Sequence, residues 1–268
     1  MPNLPYATSG PQMFLNVNKD GNKEVVICGG ISKKTSCLKL VNGAWKTFAE
    51  LKEERTNGHV AVSMEDRTFI FGGLDNNEQA FKKSSEVLEH GSESWKEGPT
   101  VPGKGIRNGC GVAISEDELL LIGGGLTSKR IIKYNMTSNT WKNEISLETG
   151  RERHSCAWFK DQIFITGGWK ELKSVDILTL DPFNISKGNE LNVGRFNHGL
   201  GLIHHKGRLT LAAFGGMGSS SNKLDSVEVF NEVTKTWKLS TTLKLSEKKT
   251  AFDFLSVPSH LICPHLYP

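Results

Sequence analysis

Arginine is the residue through which this 268-residue chain could act on a partner. Arg55, Arg107, Arg130, Arg151, Arg153 and Arg195 are six of its eight arginines. A guanidinium is a planar fork that pairs bidentately with carboxylates, so a shared surface of arginines would suit an acidic peptide. Arg55, Arg107, Arg153 and Arg195 each stand a few residues ahead of an apolar run, a position that recurs. The histidines offer less. His204 and His205 are adjacent in a strand-like run, so they point to opposite faces and cannot chelate one metal together. His59, His154 and His198 fall near the starts of similar runs. Five cysteines (Cys28, Cys37, Cys110, Cys156 and Cys263) lack CxxC spacing, and reduced thiols are expected. Cys110 and Cys156 follow Arg107 and Arg153 by three residues, where a cation could lower a thiol pKa, although small buried core cysteines fit the pattern better. No GxSxG, HExxH, Walker A or GxGxxG context occurs. No metal, no cofactor and no catalysis are expected.

The bulk numbers narrow the partners. Net charge is +4 on 33 basic and 29 acidic residues, too balanced to argue for nucleic acid. No apolar stretch approaches the ~18 residues of a membrane helix. The opening MPNLPYATSGPQ has neither a basic segment nor an apolar one, so no secretory signal is expected and a cytoplasmic location follows.

The elements that would position these residues repeat. An apolar run stops at a double glycine five times: Gly29-Gly30, Gly72-Gly73, Gly123-Gly124, Gly167-Gly168 and Gly215-Gly216. The separations are 43, 51, 44 and 48 residues, the mark of a repeat architecture. Each unit reads as strand A, a polar Asp/Gly/Asn turn, an apolar strand B ending in Gly-Gly, a variable loop, an alternating strand C and an outer strand D. Trp45, Trp95, Trp141 and Trp237 occupy one slot on strand D, where a large ring can fill the space between sheets. The fourth unit has Phe183 or Ile185 there instead. Four-stranded antiparallel sheets stacked in series close into a β-propeller, an all-β fold. The units run approximately over 13–50, 55–100, 107–147, 153–190 and 195–243, with a degenerate sixth at 247–263, all within one domain spanning 1–268. Six ring positions with one degenerate blade, or five closed blades, both fit; the first is favoured.

The double glycines, the spaced tryptophans, the arginine ahead of strand A and runs such as Ser226–Trp237 resemble the kelch-repeat family, most closely the propellers of kelch-like proteins. In that family the propeller follows BTB and BACK domains, and nothing here resembles either. The resemblance implies a non-enzymatic protein-interaction module. It would recruit substrates to a cullin-type ubiquitin ligase or bind actin and the cytoskeleton. Some kelch-type propellers are sugar-acid isomerases, for which His198 and Arg195 would be the residues to test. Others are radical-copper oxidases, which three tyrosines, two of them near the termini, cannot serve.

Topology sorts the loops. The D–A and B–C connections share one face of the meander, and the A–B and C–D turns share the other. The first face would receive all six arginines named above, with Trp169 as an aromatic anchor directly after Gly168. The second would hold Asp20, Glu65, Asp66, Glu116, Asp117, Glu118 and Asp161. The expectation is a polarised disc whose arginine-bearing face holds an acidic peptide segment. The competing reading is that the repeat-matched arginines cap backbone carbonyls between blades, and that Trp169 covers a neighbouring loop.

Overall fold

A computed structural model describes residues 3–74, 80–125 and 128–251. Twenty strands form five four-stranded antiparallel sheets, and among the described residues there is no helix. Blade one is β1 (Gln12–Val17), β2 (Lys23–Cys28), β3 (Cys37–Val41) and β4 (Ala44–Thr47). Blade two is β5 (His59–Ser63), β6 (Arg67–Gly72), β7 (Ser85–Glu89) and β8 (Lys96–Glu97). Blade three is β9 (Cys110–Ala113), β10 (Glu118–Ile122), β11 (Arg130–Asn135) and β12 (Thr140–Ser146). Blade four is β13 (Ser155–Phe159), β14 (Gln162–Thr166), β15 (Val175–Leu180) and β16 (Phe183–Lys187). Blade five is β17 (Gly199–His205), β18 (Arg208–Phe214), β19 (Leu224–Asn231) and the long β20 (Thr236–Lys249).

Within every blade the strands are ordered as they occur in the chain, and each first strand lies beside the first strand of the next blade. The sheets therefore radiate from a common axis with strand A innermost, which is a β-propeller. Strand B is apolar on both faces because it is covered on both: Leu119 to Ile122 are all at or below 1% exposure.

The double glycine has a division of labour. The first N–H bonds within its own blade: Gly29 to the Ser36 carbonyl, Gly72 to Ser84, Gly123 to Arg130, Gly167 to Ser174 and Gly215 to Ser226. The second bonds the segment that opens the next blade in four of the five, Gly30 to the Arg55 carbonyl, Gly73 to Ile106, Gly124 to Arg151 and Gly168 to Arg195, while Gly216 bonds Lys249 at the end of β20 in its own blade. The joint is tight. Gly72 sits at φ 65°, and a Cβ there would come within 2.1 Å of the Ile106 carbonyl oxygen.

Aromatic side chains fill the seams as the spacing predicts. Trp95 and Trp237 are buried, and each meets a phenylalanine of the preceding blade edge-on: Phe14 at 5.9 Å and Phe164 at 6.5 Å. Trp141 is only half-buried but packs against Phe71 of blade two in the same way. In blade four, Phe183 and Ile185 take up the role and pack into the seam with blade three. That seam also carries a side-chain tie, the Trp158 Nε1–H donating to the Ala113 carbonyl at 2.7 Å. Trp158→Phe is therefore expected to cost about 1 kcal/mol in urea denaturation, since a part-buried carbonyl loses its donor.

Six left-handed residues ring the axis, five of them where the chain enters an inner strand: Gly10, Gly58, Asn108, Arg153 and Asn197, joined by Ala251, with φ between 49° and 71°. Their amides are linked in sequence. Asn108 N–H bonds the Gly58 carbonyl, Arg153 bonds Asn108, Asn197 bonds Arg153, Ala251 bonds Asn197 and Gly10 bonds Ala251. The ring thus has six stations, and five of them open a four-stranded blade. Ala251 takes the sixth. Of the partial repeat expected over 247–263, the first three residues belong to β20, and everything after Ala251 lies outside the described residues.

Candidate functional site

The face on which the A strands begin and the B strands end surrounds the mouth of a central channel. A cavity of about 440 Å³ runs along the axis, lined by the inner strands of all five blades. Asn57, Asn108, Arg153 and Asn197 contribute to its wall near the ring of left-handed residues.

Sorting the six arginines by what they touch divides them. Arg55, Arg151 and Arg195 have no exposed surface. Arg195 donates through Nη1 to the Gly215 and Ser226 carbonyls at 2.8 and 3.3 Å, and through Nη2 to Glu228 at 2.8 Å. Arg151 does the same with Gly167, Ser174 and Asp176, and Arg55 bonds Gly72 and Ser84 through Nη1 and Glu86 through Nε. Each guanidinium ties the double-glycine carbonyl of its own blade to strand C and meets a buried acid there. Burial pulls these arginines below their ordinary pKa, and the facing carboxylates pull back. Arg130 is half-buried and caps the Pro102 and Gly105 carbonyls at 2.8 and 2.9 Å. The expectation that all six line a partner surface is corrected for these four. A guanidinium buried or spent on backbone carbonyls has no fork left for a visiting carboxylate.

The buried set also corrects the alignment. Arg55, Arg151 and Arg195 are equivalent because their own carbonyls accept the second glycine N–H of the preceding blade. Arg107 and Arg153 belong to other positions. In blade three the same station holds Ile106, and strand C carries Arg130-x-Ile132 in place of the Ser-x-acid of Ser84-x-Glu86, Ser174-x-Asp176 and Ser226-x-Glu228.

The three histidines travel with the buried arginines. His59, His154 and His198 are buried beneath the preceding double glycine, and a Cβ on Gly29, Gly123 or Gly167 would lie 2.7–2.9 Å from the imidazole. His59 Nε2 donates to the Cys28 carbonyl at 3.2 Å, and His198 Nε2 meets Thr166 Oγ1 at 2.9 Å. Burial, reinforced by the neighbouring arginine, pushes His59 and His154 down to about 3 and His198 well below the ordinary value. They are neutral at physiological pH and work as joints between blades. Among the described residues, no three His, Cys, Asp or Glu side chains are grouped to hold a metal ion.

Arg107 and Arg153 remain half-exposed at the mouth. Arg107 stands over Gly58, and its Nε has no partner among the described residues. Arg153 is the better placed. Its guanidinium lies 5.9 Å from the Trp169 ring and 6.0 Å from Phe196, two rings that meet edge-on at 4.9 Å. The Glu152 carboxylate approaches it only to 3.9 Å. Trp169 is 39% exposed, so it does both things expected of it as alternatives, covering Phe196 and presenting an aromatic surface. The opposite face carries Glu65, Asp66, Glu116 and Asp117 around a cleft between blades two and three. Several of these acids are engaged in their own turns: Asp66 pairs with Arg67, and Asp117 accepts from Ser115 and Thr137.

The cysteines depart from expectation. Cys28 and Cys37 form a disulfide between directly opposed positions of β2 and β3, and Cys110 and Cys156 form one between the inner strands β9 and β13. The pairings were not legible because they depend on strand register and on which faces meet across a seam. Cys263 lies outside the described residues.

No family model matches the chain. Curated relatives do. The chain is 24% identical over 173 residues to Kelch-like protein 35 of Mus musculus, covering 63% of this chain and 29% of that protein. It is 21% identical over 161 residues to Kelch-like protein terF of Aspergillus terreus, covering 55% and 35%. Five blades jointed by double glycines, together with these matches, decide the family. The chain is a kelch-repeat propeller. This propeller is also 26% identical over 156 residues to Alpha-scruin of Limulus polyphemus, covering 52% of this chain and 16% of that protein. The match spans about a third or less of each relative's length. The kinship and the fold support a protein-interaction module. Among the described residues no helix is long and apolar enough to cross a membrane.

Proposed function

We propose that this kelch propeller binds an acidic peptide segment at the channel mouth, with Arg153 and Arg107 as the cationic contacts and Trp169 as the aromatic anchor. The observation that carries the reading is the Arg153 guanidinium, set beside two rings and 32% exposed, with the Glu152 carboxylate no nearer than 3.9 Å. A cation pre-oriented on aromatic faces loses little freedom when a carboxylate docks, so its pairing is stronger than that of a free surface arginine. The whole chain would act as one propeller domain of a cytoplasmic protein. Its closest functional setting would be substrate recruitment to a cullin-type ubiquitin ligase, which is favoured over cytoskeletal binding by the two kelch-like relatives. Actin co-sedimentation that pellets the chain would reverse that order.

Panning a random peptide display library against the chain tests the site. Wild type is expected to enrich peptides rich in Asp and Glu. Arg153→Ala and Trp169→Ala are each expected to weaken the selected peptides about tenfold or more, the loss of one anchor, with the melting temperature almost unchanged. Enrichment of acidic peptides that both variants bind as well as wild type would move the site elsewhere.

A further inference from the structure

We propose that Cys110 and Cys156 form a redox-exchangeable site, a thiol–disulfide pair at the inner edge of the seam between blades three and four, opened and closed by small thiols and disulfides of the glutathione class that enter the central channel. The two disulfides among the described residues differ in the ways that decide exchange. Cys28 and Cys37 are 1% and 0% exposed and lie within one sheet, nine residues apart in sequence. Cys110 and Cys156 are half-exposed, line the central cavity and join two different blades across 46 residues of sequence. Exchange needs a thiolate to reach a sulfur, so only the channel pair offers itself to a dissolved thiol. Register explains why these two sulfurs meet. Cys110 opposes Ile122 and Cys156 opposes Ile165, positions one residue out of step relative to their double glycines. In strands that offset turns the two side chains to opposite faces, so each points at the other's blade. The Cα atoms are 6.0 Å apart, within the range a disulfide spans.

At this seam the cross-link adds to the histidine joint, since His154 lies beneath Gly123. Blade three itself lacks the buried arginine, histidine and acid of blades two, four and five, holding Ile106, Gly109 and Ile132 instead, which leaves its seam with blade two without that joint. Its inner strand β9 has four residues, the fewest of the five inner strands, and carries a glycine on each side of Cys110. Directly above the sulfurs, Arg153 N–H bonds the Asn108 carbonyl at 2.7 Å across the same seam.

The chemistry balances with glutathione as the reductant. A first thiolate attacks one sulfur, the S–S bond breaks, and the other cysteine leaves as a thiolate that takes up a proton. A second glutathione attacks the mixed disulfide and releases the second cysteine thiol together with glutathione disulfide. Two electrons pass to the protein, and the reverse reaction uses glutathione disulfide as oxidant.

The test equilibrates the full chain under native conditions in buffers of graded glutathione to glutathione disulfide ratio, blocks thiols with N-ethylmaleimide and reads each cysteine by peptide mass. Cys110 and Cys156 are expected to label together, at least about tenfold faster than Cys28 and Cys37. On reduction the Arg153 amide should exchange hydrogen about tenfold faster, while the Asn197 amide at the next seam keeps its protection. The melting temperature should fall by on the order of 10 °C. Four cysteines that label at one rate, or label only after denaturation, would overturn the proposal. So would loss of protection spread evenly over all seams. Cys110→Ser/Cys156→Ser should reproduce the reduced seam and ignore the glutathione ratio; a variant that kept the oxidised protection pattern and melting temperature would equally sink it.

Discussion

Arg195→Ala is expected to cost about 3–5 kcal/mol of folding stability, because it strands a buried acid. Glu228 is fully buried and accepts from Arg195, from the Asn192 and Val193 amides and from the Asn192 side chain. Removing the cation leaves that carboxylate charged in a dry seam and leaves the Gly215 carbonyl without its guanidinium donor. Glu228→Gln should cost less, since an amide oxygen still accepts while the charge disappears. The chain itself shows what an uncharged joint looks like, for blade three holds isoleucines at both equivalent stations, Ile106 and Ile132. Arg195→Ile combined with Glu228→Ile is therefore expected to cost clearly less than the two single changes added together, with a coupling of about 2–3 kcal/mol in a double-mutant cycle. Urea denaturation with an unchanged m value measures it. Single-variant losses under about 1 kcal/mol would mean that the pair behaves as a solvated surface bridge. Peptide selection by folded Arg195→Ala should match wild type, in contrast to Arg153→Ala.

That contrast shows where sequence reading succeeded and where it stopped. The blades were legible because one physical demand, two successive glycine amides serving two different segments, recurs in every blade and leaves a mark no other residue type can replace. The tryptophan slot was legible for the same reason: each seam needs one large apolar filler on the outer strand. Face assignment followed from topology and held for the loops. The arginines failed because spacing from strand A is a loose ruler when the lead-in segment varies by a residue, as Arg55-Thr56-Asn57-Gly58 against Arg195-Phe196-Asn197 shows. A sharper signal stood elsewhere in the chain. Ser84-x-Glu86, Ser174-x-Asp176 and Ser226-x-Glu228 mark the strands that receive a buried arginine, and the two blades whose strand C lacks the acid, one (Ser36-x-Leu38) and three (Arg130-x-Ile132), also lack the arginine and the histidine. Trp169 and Arg153 could be nominated singly, but their meeting over Phe196 depends on loops that approach only after the blades have stacked.

Mild acid is expected to unfold this propeller, through the three joint histidines. In the unfolded chain each titrates near its ordinary value of 6.5; in the native state burial and an adjacent arginine hold His59 and His154 near 3 and His198 well below 6.5. Between those values the unfolded state binds protons that the native state refuses, so stability is complete above about pH 6.5 and falls as the pH drops toward about 3. Each refused proton lowers stability by about 1.4 kcal/mol per pH unit, and three together by about 4. Against a total stability of about 5–15 kcal/mol, that slope brings the midpoint of acid unfolding to roughly pH 3–5. The arginines sharpen the effect, since an imidazolium formed at His198 would sit beside the buried Arg195 cation. Urea midpoints at pH 7.5, 6.0 and 5.0 measure the slope, and His154→Gln should lessen it by about a third. A folding stability that stayed level from pH 7.5 to 5.0 would mean the joints accept protons, and the histidines would then have to be reached by solvent through the channel.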